Sequence, residues 1–326
     1  MAEDYRIVFR ANGGPEVLEV EKIEPVVPGP GEIRIRQTAI GLNFIDIYHR
    51  TGLYPGPLPS GIGSEAVGVV EAAAPDVTNF GIGDRVGYVM GPPGAYASVR
   101  TVCAATAVPI PQNIPDELAA AVLLKGMTTE FLVERCARIT QGQSALVHAA
   151  AGGVGSLLVQ WLKAAGVQVF AHAGSEAKAD AVRALGIERV SSCALDEVAG
   201  WVRQGTGGRG VDVVFDGVGA ASWQCSLAAV ARRGLIVSYG NASGPVPPVP
   251  PLDLTRAGSI FMTRPTLADY CSTSAERRHS AERLFQMIAS GAIRADAGRR
   301  IALRDAASAH RALASRATTG STVLVP

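Results

Sequence analysis

The chain has 326 residues, of which 48 % are hydrophobic and 18 % are charged. This length suits two domains, and this composition can bury a sizeable core, which excludes a disordered, collagen-like or coiled-coil protein. The 30 basic and 29 acidic residues nearly balance, so we expect neither nucleic acid nor a membrane as a partner. The apolar runs are shorter than a bilayer span, and the first residues lack the apolar stretch of a signal peptide. The five cysteines are never spaced as Cys-x-x-Cys, which predicts reduced thiols and a cytoplasmic protein.

The N-terminal third of the chain predicts an antiparallel, barrel-like β domain. Short β-rich segments lie at 5–9, 32–38, 66–72 and 84–89, and Gly and Pro residues separate them. Apolar residues recur at every second position over part of 32–38, which is typical of a half-buried strand. A helix is predicted to begin at Asp116, directly after Pro115.

From residue 143 onward, strands and helices alternate. Strands are predicted at 144–149, 167–172, 188–192, 211–216, 234–239 and 259–263, with helices at 153–165, 176–185, 195–204 and 221–231. This order predicts an α/β fold with a Rossmann-type, doubly wound parallel sheet. A Pro-rich connection at 245–251 precedes the sixth strand, and helices at 275–290 and 304–315 and a strand at 321–325 close the chain.

A Gly-rich turn follows the first of these strands and contains Ala151, Gly152, Gly153, Val154 and Gly155. Against the pattern Gly-x-Gly-x-x-Gly, small residues stand at all three positions, with Ala150 at the first. Gly152 lets the backbone approach a pyrophosphate, and Gly155 lets the helix pack closely on the strand. The phosphates are then expected on the N–H groups at the helix N-terminus. A purely structural turn is the alternative, but successive βα units favour a dinucleotide site.

The end of the second strand predicts NADPH rather than NADH. Ala173 stands where NAD enzymes usually carry an acid for the ribose 2′-hydroxyl. Gly174, Ser175 and Lys178 follow, and a hydroxyl with an ammonium suits a 2′-phosphate. Glu176 is compatible with either cofactor. Taken alone, Lys178 is better explained as a solvated helix residue.

Motifs along nearly the whole chain resemble the zinc-independent quinone oxidoreductases, the zeta-crystallin-like branch of the medium-chain dehydrogenase/reductase superfamily, and in particular the bacterial NADPH:quinone reductases. They are 13–18, 39–46, 81–86, 149–155, 239–244, 263–265 and 320–326. The resemblance implies a GroES-like β-barrel catalytic domain at 1–124, a Rossmann NADP-binding domain at 125–265 and a C-terminal return to the catalytic domain at 266–326. It also implies a homodimer formed through the last Rossmann strand, at about 259–263.

The same resemblance assigns site residues. Asn43, Tyr48 and Tyr54 are expected to line a cleft beside the nicotinamide as catalytic residues. For the two tyrosines, packing alone is the alternative. The remaining cofactor contacts that it implies are Lys125, Thr128, Tyr239, Gly240, Asn241, Thr263, Arg264 and Arg316. A helix-end ion pair is the alternative for Lys125, and a plain surface charge is the alternative for Arg316.

Two departures from related proteins concern the cofactor and the metal. Cys193 stands where many relatives carry an aromatic residue against the adenosine phosphate, which weakens the predicted preference for NADPH. Asn43 and Ser64 stand where zinc-dependent members carry a Cys and a His, and only Glu65 remains of the zinc-binding residue types. We therefore predict no metal.

These features together predict NADPH-dependent reduction of quinones, by hydride or by stepwise electron transfer, in a metal-free interdomain cleft. A quinone needs little electrophilic help, because its reduction yields an aromatic hydroquinone, so the protein can act mainly by positioning. One alternative is reduction of α,β-unsaturated carbonyl compounds or enoyl thioesters. Another, from a different class, is a non-catalytic NADPH-binding protein.

Overall fold

The computed structural model describes residues 3–315 and 320–326. The chain divides into two compact units. The first, called here the barrel unit, comprises Met1–Met127, Cys271–Phe285 and Ala295–Pro326. The second, called here the parallel-sheet unit, comprises Thr128–Tyr270 and Gln286–Arg294.

The strands of the described residues follow in chain order. They are β1 (Tyr5–Phe9), β2 (Glu19–Lys22), β3 (Glu32–Gly41), β4 (Ser60–Gly61), β5 (Glu65–Ala73), β6 (Arg85–Val89), β7 (Val99–Cys103), β8 (Ala107–Pro109), β9 (Ser144–Val147), β10 (Gln168–His172), β11 (Arg189–Ser191), β12 (Val211–Asp216), β13 (Val230–Ser238), β14 (Phe261–Thr263), β15 (Arg299–Ala302) and β16 (Thr322–Val325).

The α-helices of the same residues are α1 (Phe44–Thr51), α2 (Asp116–Glu130), α3 (Gly153–Ala164), α4 (Glu176–Ala184), α5 (Leu195–Gly205), α6 (Trp223–Ala229), α7 (Pro251–Arg256), α8 (Leu267–Tyr270), α9 (Ser274–Ala289) and α10 (Ala306–Ala314). A π-helical segment, Phe131–Ala137, continues directly from α2. Among the described residues, no helix is both long enough and apolar enough to cross a membrane.

The barrel unit is built around β3, the longest of its strands. The larger sheet has the order β15-β16-β3-β5-β6-β8, with β7 also paired to β3, and a smaller sheet has the order β2-β1-β4. Buried and half-buried residues alternate along most of β3, so one face of the strand packs on the core. All pairings of the larger sheet are antiparallel except β15 with β16. The predicted antiparallel barrel-like region is confirmed, and the chain's last strand, β16, joins it beside Ile40 and Gly41.

The parallel-sheet unit has six parallel strands in the order β11-β10-β9-β12-β13-β14. This order places the first strand, β9, in the middle, so the connections run in opposite directions on its two sides. In such sheets ligands bind beyond the carboxyl ends of the strands, at the point where the direction reverses. The predicted doubly wound Rossmann sheet is therefore confirmed.

The end of the fourth predicted helix was wrong. The sequence predicts helix over 221–231, but α6 ends at Ala229 and β13 begins at Val230. Val230 pairs with Val211 of β12, and both side chains are fully buried. Burial of these β-branched residues in the sheet outweighs the helix preference of the surrounding alanines. The Pro-rich connection at 245–251 was predicted as turns alone, whereas its last residue, Pro251, begins α7.

Gly155 allows α3 to approach the backbone of the preceding turn. A Cβ atom at this position would lie 2.3 Å from the Ala149 carbonyl oxygen and 2.9 Å from the Ala150 Cα. Both are backbone atoms, so the turn would have to shift. We expect Gly155→Ala to lower the free energy of unfolding in urea by about 1–3 kcal/mol, the usual cost of overpacking.

Gly200→Ala is the matched control for this substitution. Gly200 is exposed within α5, and an added Cβ would meet open space. We expect this change to raise the free energy of unfolding by about 0.5–1 kcal/mol, because alanine loses less backbone entropy in a helix. A Gly155→Ala protein as stable as the Gly200→Ala protein would contradict the close approach.

Candidate functional site

The Gly-rich turn leads from β9 into α3 at the carboxyl edge of the parallel sheet. Ala149 has a positive φ of 51°, and Gly152 is the N-cap of the helix. The Gly152 N–H donates to the Ala149 carbonyl at 2.9 Å, which closes the turn. Within the described residues, no side chain caps α3, so the first-turn N–H groups, beginning with Gly153 and Val154, are directed out of the helix end.

This turn has the properties of an anion cradle. Gly155 is buried against the turn backbone, while Gly152 is half-buried and a Cβ there would meet only the Ala149 oxygen, at 3.1 Å. Ala151 is buried beneath the turn. A helix N-terminus with a side-chain-free approach is suited to a pyrophosphate. The residues present therefore fit a dinucleotide.

The end of β10 carries the polar residues predicted for a 2′-phosphate. Gly174 is exposed and leads to Ser175, which is the N-cap of α4 and whose hydroxyl accepts from the Lys178 N–H at 3.4 Å. Lys178 is half-buried in the first turn of this helix. The hydroxyl and the lysine thus come from one helix turn, at the same sheet edge as the Gly-rich turn.

Glu176 is an acid within this cluster. Its carboxylate accepts from the Ser192 hydroxyl and from Arg183 at 2.6 Å. The Ser192 hydrogen bond, followed by that of Arg183, lowers the pKa of Glu176, so the group is charged at neutral pH. Cys193, the next residue after Ser192, is half-buried, and its carbonyl contacts His172 Nε2 at 3.0 Å.

The ends of β13 and β14 are tied together by Arg264. Its Nη1 donates to the Ser238 carbonyl at 2.9 Å and to the Gly240 carbonyl at 3.1 Å. Gly240 packs on the backbone of Gly217, because an added Cβ would lie 2.3 Å from the Gly217 oxygen. The half-buried residues Tyr239, Gly240, Asn241 and Thr263 and the exposed Arg264 therefore lie at the same carboxyl edge of the sheet as the Gly-rich turn. Thr128 lies in α2 and is half-buried, and Arg316 lies outside the described residues.

A second polar cluster lies inside the parallel-sheet unit and was not predicted. Asp216, at the end of β12, is fully buried and accepts from the hydroxyls of Ser222 and Ser226. Ser226 also contacts His148 Nε2 at 3.2 Å. Burial lowers the pKa of His148 to about 4, so this histidine is neutral where β9 leads into the Gly-rich turn. Their large separation in the chain gives no sequence signal for the cluster.

In the barrel unit, Asn43 connects α1 to a buried carboxylate. Asn43 is the N-cap of α1, and its Nδ2 donates to Glu65 Oε1 at 2.7 Å. The Leu124 N–H donates to Glu65 Oε2 at 2.7 Å, and Lys125 Nζ lies 3.6 Å from Oε1. Burial raises the pKa of Glu65, and the nearby Lys125 opposes that rise. Lys125 thus makes an ion pair from within α2 rather than at a helix end, and its contact with a cofactor stays a prediction.

Tyr48 and Tyr54 lie against each other at the end of α1. Their ring centroids are 5.3 Å apart in an edge-to-face arrangement, and the Tyr54 N–H donates to the Tyr48 carbonyl at 3.1 Å. Tyr48 is buried and also faces Phe44, whereas Tyr54 is half-buried. This contact accounts for the packing of both rings, and their catalytic role stays a prediction.

Asp46 is the main site-region residue that the sequence analysis missed. It is fully buried, and it accepts from the Ser64 hydroxyl at 2.8 Å, the Tyr96 hydroxyl at 3.0 Å and the Asn43 N–H at 2.9 Å. Burial raises the pKa of Asp46 to about 7 against the effect of these hydrogen bonds. The motif at 39–46 includes Asp46, but nothing in the sequence links it to Tyr96.

The residues at the former zinc-ligand positions are engaged within the protein. Asn43 donates to Glu65, and Ser64 donates to Asp46. In the part of the chain that the structure describes, no group of three His, Cys, Asp or Glu residues is arranged to hold a metal ion. An amide and a hydroxyl are also poor zinc ligands compared with thiolate and imidazole.

Comparison with known proteins identifies the family. Residues 153–290 match the family model described as zinc-binding dehydrogenase, and residues 29–112 match the alcohol dehydrogenase GroES-like domain. The chain is 48 % identical to the quinone oxidoreductase of Pseudomonas aeruginosa over 322 residues, which covers 98 % of this chain and 99 % of that one. It is 38 % identical to the 2-haloacrylate reductase of a Burkholderia species, covering 98 % of both.

A solved structure gives the same result. The quinone oxidoreductase of Escherichia coli, crystallised with NADPH, has a TM-score of 0.95 and 42 % sequence identity to this chain. The match covers 99 % of this chain and 100 % of the bacterial one. The resemblance inferred from the sequence motifs is thereby confirmed. The chain belongs to the quinone oxidoreductase family of the medium-chain dehydrogenase/reductase superfamily.

Proposed function

We propose that this chain is an NADPH-dependent quinone oxidoreductase that needs no metal ion. The observation that carries the proposal is an anion cradle at a doubly wound sheet in a chain almost half identical to a quinone oxidoreductase over nearly its whole length. Bound NADPH supplies the reducing equivalents, as hydride or in single-electron steps, and the protein supplies binding and orientation.

The parallel-sheet unit holds the dinucleotide in this proposal. The Ala151–Gly155 turn receives the pyrophosphate on its N–H groups. Gly174, Ser175 and Lys178 take the 2′-phosphate, with Cys193 beside it. Tyr239, Gly240, Asn241, Thr263 and Arg264 line the carboxyl edge of the sheet. Lys125, Thr128 and Arg316 complete the proposed cofactor contacts.

The barrel unit orients the acceptor. Asn43 has a carboxamide that can donate or accept, and its buried partner Glu65 holds its orientation. Tyr48 and Tyr54 carry hydroxyls that can donate to a developing quinol oxygen, or rings that can stack on the acceptor. Reduction to the hydroquinone takes up two electrons and two protons: the hydride equivalent from NADPH would bring two electrons and one proton, and solvent would bring the second proton. Until that proton arrives, a phenol hydrogen bond to the oxygen stabilises the charge that develops there.

The activity is tested by following NADPH absorbance with purified protein. The acceptors are 1,4-benzoquinone, 9,10-phenanthrenequinone and crotonaldehyde, with NADH in parallel. We expect quinone-dependent oxidation of NADPH in preference to NADH. Turnover of crotonaldehyde alone would move the protein to the double-bond reductases, an alternative that the similarity to a 2-haloacrylate reductase favours. Tight NADPH binding without any turnover would leave a non-catalytic binding protein.

Gly152→Asp tests the pyrophosphate site. Gly152 has extended backbone angles, φ −76° and ψ 172°, and aspartate is a favourable N-cap, so the fold should tolerate the change. We expect NADPH affinity to fall by about 100-fold or more, since like charges about 4 Å apart repel by about 4 kcal/mol near a protein surface. Gly152→Asn, of the same shape without the charge, should lose clearly less affinity, because only the bulk of its side chain opposes the pyrophosphate. Equal affinities of the two variants, measured by fluorescence titration, would contradict the assignment.

Lys178→Ala tests the 2′-phosphate site. We expect a loss of NADPH affinity of about tenfold, the lower end for a charged hydrogen bond, and unchanged NADH affinity. Glu176→Gln should strengthen NADPH binding, because it removes a carboxylate that repels the phosphate. Lys163→Ala is the control for net charge. Lys163 is exposed and lies at the end of α3 that is remote from the Gly-rich turn. Equal losses of NADPH and NADH in the Lys178 variant would exclude the role.

We also propose that two copies of the chain pair through β14. This strand ends the sheet and hydrogen-bonds to β13 alone among the described strands. Phe261 on β14 is 65 % exposed, and Leu252 of the same unit is 63 % exposed. An open edge strand that presents a large apolar side chain is usually covered, and a two-fold axis would pair the two edges.

Phe261→Glu tests this pairing by analytical ultracentrifugation. We expect a dimer for the unmodified chain and a monomer for the variant, because the two-fold contact would bring two carboxylates together. Ile82→Glu is the control, since Ile82 is 76 % exposed but lies in the barrel unit. A Phe261→Glu protein that stays dimeric would exclude β14 as the contact.

Zinc analysis tests the proposed absence of a metal. Protein purified from zinc-containing medium without chelator should hold well under one zinc per chain, because Asn43 and Ser64 offer no thiolate or imidazole. Quinone reduction should persist after dialysis against a chelator. One tightly bound zinc per chain, measured by elemental analysis and required for turnover, would overturn the proposal.

The cytoplasm is the location that we propose. All five cysteines lie in the described residues and are free thiols, as expected in a reducing compartment. Cell fractionation that places the protein outside the cytoplasm would contradict this.

A further inference from the structure

A continuous chain of hydrogen bonds crosses the barrel unit behind Asn43. Arg50 Nη1 lies 3.0 Å from His310 Nδ1, and His310 Nε2 lies 3.1 Å from the Tyr96 hydroxyl. The Tyr96 hydroxyl donates to Asp46 Oδ2 at 3.0 Å, and the same oxygen accepts from the Asn43 N–H at 2.9 Å. These five residues come from α1, the segment before β7, and α10, and all five are buried.

The proton positions along this chain follow from its two ends. A guanidinium has only donors, so His310 Nδ1 must accept from Arg50. Burial, reinforced by Arg50, lowers the pKa of His310 to about 3, which keeps the ring neutral and its proton on Nε2. That N–H donates to the Tyr96 oxygen, and the Tyr96 hydroxyl is then left to donate to Asp46. Every bond therefore points from Arg50 towards the carboxylate.

Asp46 uses both of its oxygens as acceptors. Oδ1 accepts from the Ser64 hydroxyl at 2.8 Å, and Oδ2 accepts from Tyr96 and from the Asn43 N–H. Asn43 in turn donates from its side chain to Glu65 at 2.7 Å. The chain of hydrogen bonds thus ends at the backbone N–H of Asn43, the residue that orients the acceptor in the proposed function.

We propose that Asp46, Tyr96 and His310 are positioning residues that hold Asn43 in its working orientation, and that protonation of Asp46 releases it. This inference rests on the proposed function for its activity test, but its structural part does not. His310 lies 260 residues from Arg50 in the sequence, so the positioning of Asn43 depends on the C-terminal segment of the chain.

A protonated Asp46 cannot keep the same three bonds. Its new O–H is a donor, yet both oxygens already face donors, so at least one bond to Asn43, Ser64 or Tyr96 must break. Burial raises the pKa of Asp46 to about 7, and the charge of Glu65 adds to that rise. Two cations of the described residues lie in this region. Arg50 contacts the neutral His310, and Lys125 pairs with Glu65. The arrangement should therefore form as pH rises through about 7.

The pH profile of kcat with NADPH and 1,4-benzoquinone tests the proposal between pH 5.5 and 9. The wild-type chain should lose activity below about pH 7. Tyr96→Phe removes one donor to the carboxylate, so the acid limb should move up by about one pH unit, the lower value for a charged hydrogen bond, with near-normal kcat at pH 9. A uniform loss at every pH would mean a merely structural role and would overturn the proposal.

Two further variants sharpen this test. Asp46→Asn mimics the protonated carboxyl, a neutral group with a donor on one side, so kcat should be low at every pH and the acid limb should disappear. Tyr88→Phe is the matched control, because Tyr88 is an equally buried tyrosine of the same core whose hydroxyl donates to Gln37 instead. It should keep the wild-type profile. An acid limb that persists in Asp46→Asn, or moves equally in Tyr88→Phe, would sink the idea.

A measurement without turnover separates this inference from the proposed function. Nitrogen-15 NMR of the labelled wild-type chain should show neutral His310 with its proton on Nε2 from pH 5 to 9, and carbon-13 NMR should show the Asp46 carboxyl titrating near 7. A charged His310, or a proton on Nδ1, would overturn the chain of bonds. A wild-type protein that fails to reduce quinones but shows these NMR signals would contradict the proposed function alone.

Discussion

Two carboxylates buried side by side, Asp46 and Glu65, govern the architecture of the barrel unit. Neither has any exposed surface, and a buried charge costs several kcal/mol unless hydrogen bonds or a counter-ion replace the lost water. The required donors come from distant parts of the chain. Tyr96 donates a hydrogen bond to Asp46. Leu124 donates a hydrogen bond to Glu65, and Lys125 forms an ion pair with it. Asn43 donates to both carboxylates, from its backbone N–H to Asp46 and from its side-chain amide to Glu65. These two hydrogen bonds set the orientation of the residue.

The same arrangement explains how the chain does without the zinc ligands of related dehydrogenases. Where those carry a thiolate and an imidazole, Asn43 and Ser64 carry hydrogens that point at the two carboxylates. A metal would supply positive charge to this region, and here polarised N–H and O–H groups with Lys125 supply it instead. In the proposed metal-free reaction, a quinone acceptor does not need a Lewis acid, because its own reduction to an aromatic product provides the driving force.

The parallel-sheet unit divides its work differently between buried and exposed groups. The shape of the Gly-rich turn is set by close backbone contact at Gly155 and by the buried His148 and Asp216 cluster next to it. Among the groups that would distinguish NADPH from NADH, Ser175 and Glu176 are exposed and Lys178 is half-buried. Exposed side chains contribute small, solvent-screened energies. Affinity for the dinucleotide and the preference for its phosphate therefore rest on separate physical features.

Features that depend on neighbouring residues follow from the amino-acid sequence alone. The alternation of strands and helices, the turn at Ala151–Gly155 and the half-buried pattern of β3 are local, because period and turn chemistry are read within a few positions. Features that depend on contacts between distant residues follow only from the folded structure. Val230 was predicted to be helical but is in a strand, because its pairing with Val211 buries it in the sheet and this burial outweighs local propensity. The link from Asp46 through Tyr96 to His310 exists only because folding buries polar groups that then have to satisfy one another.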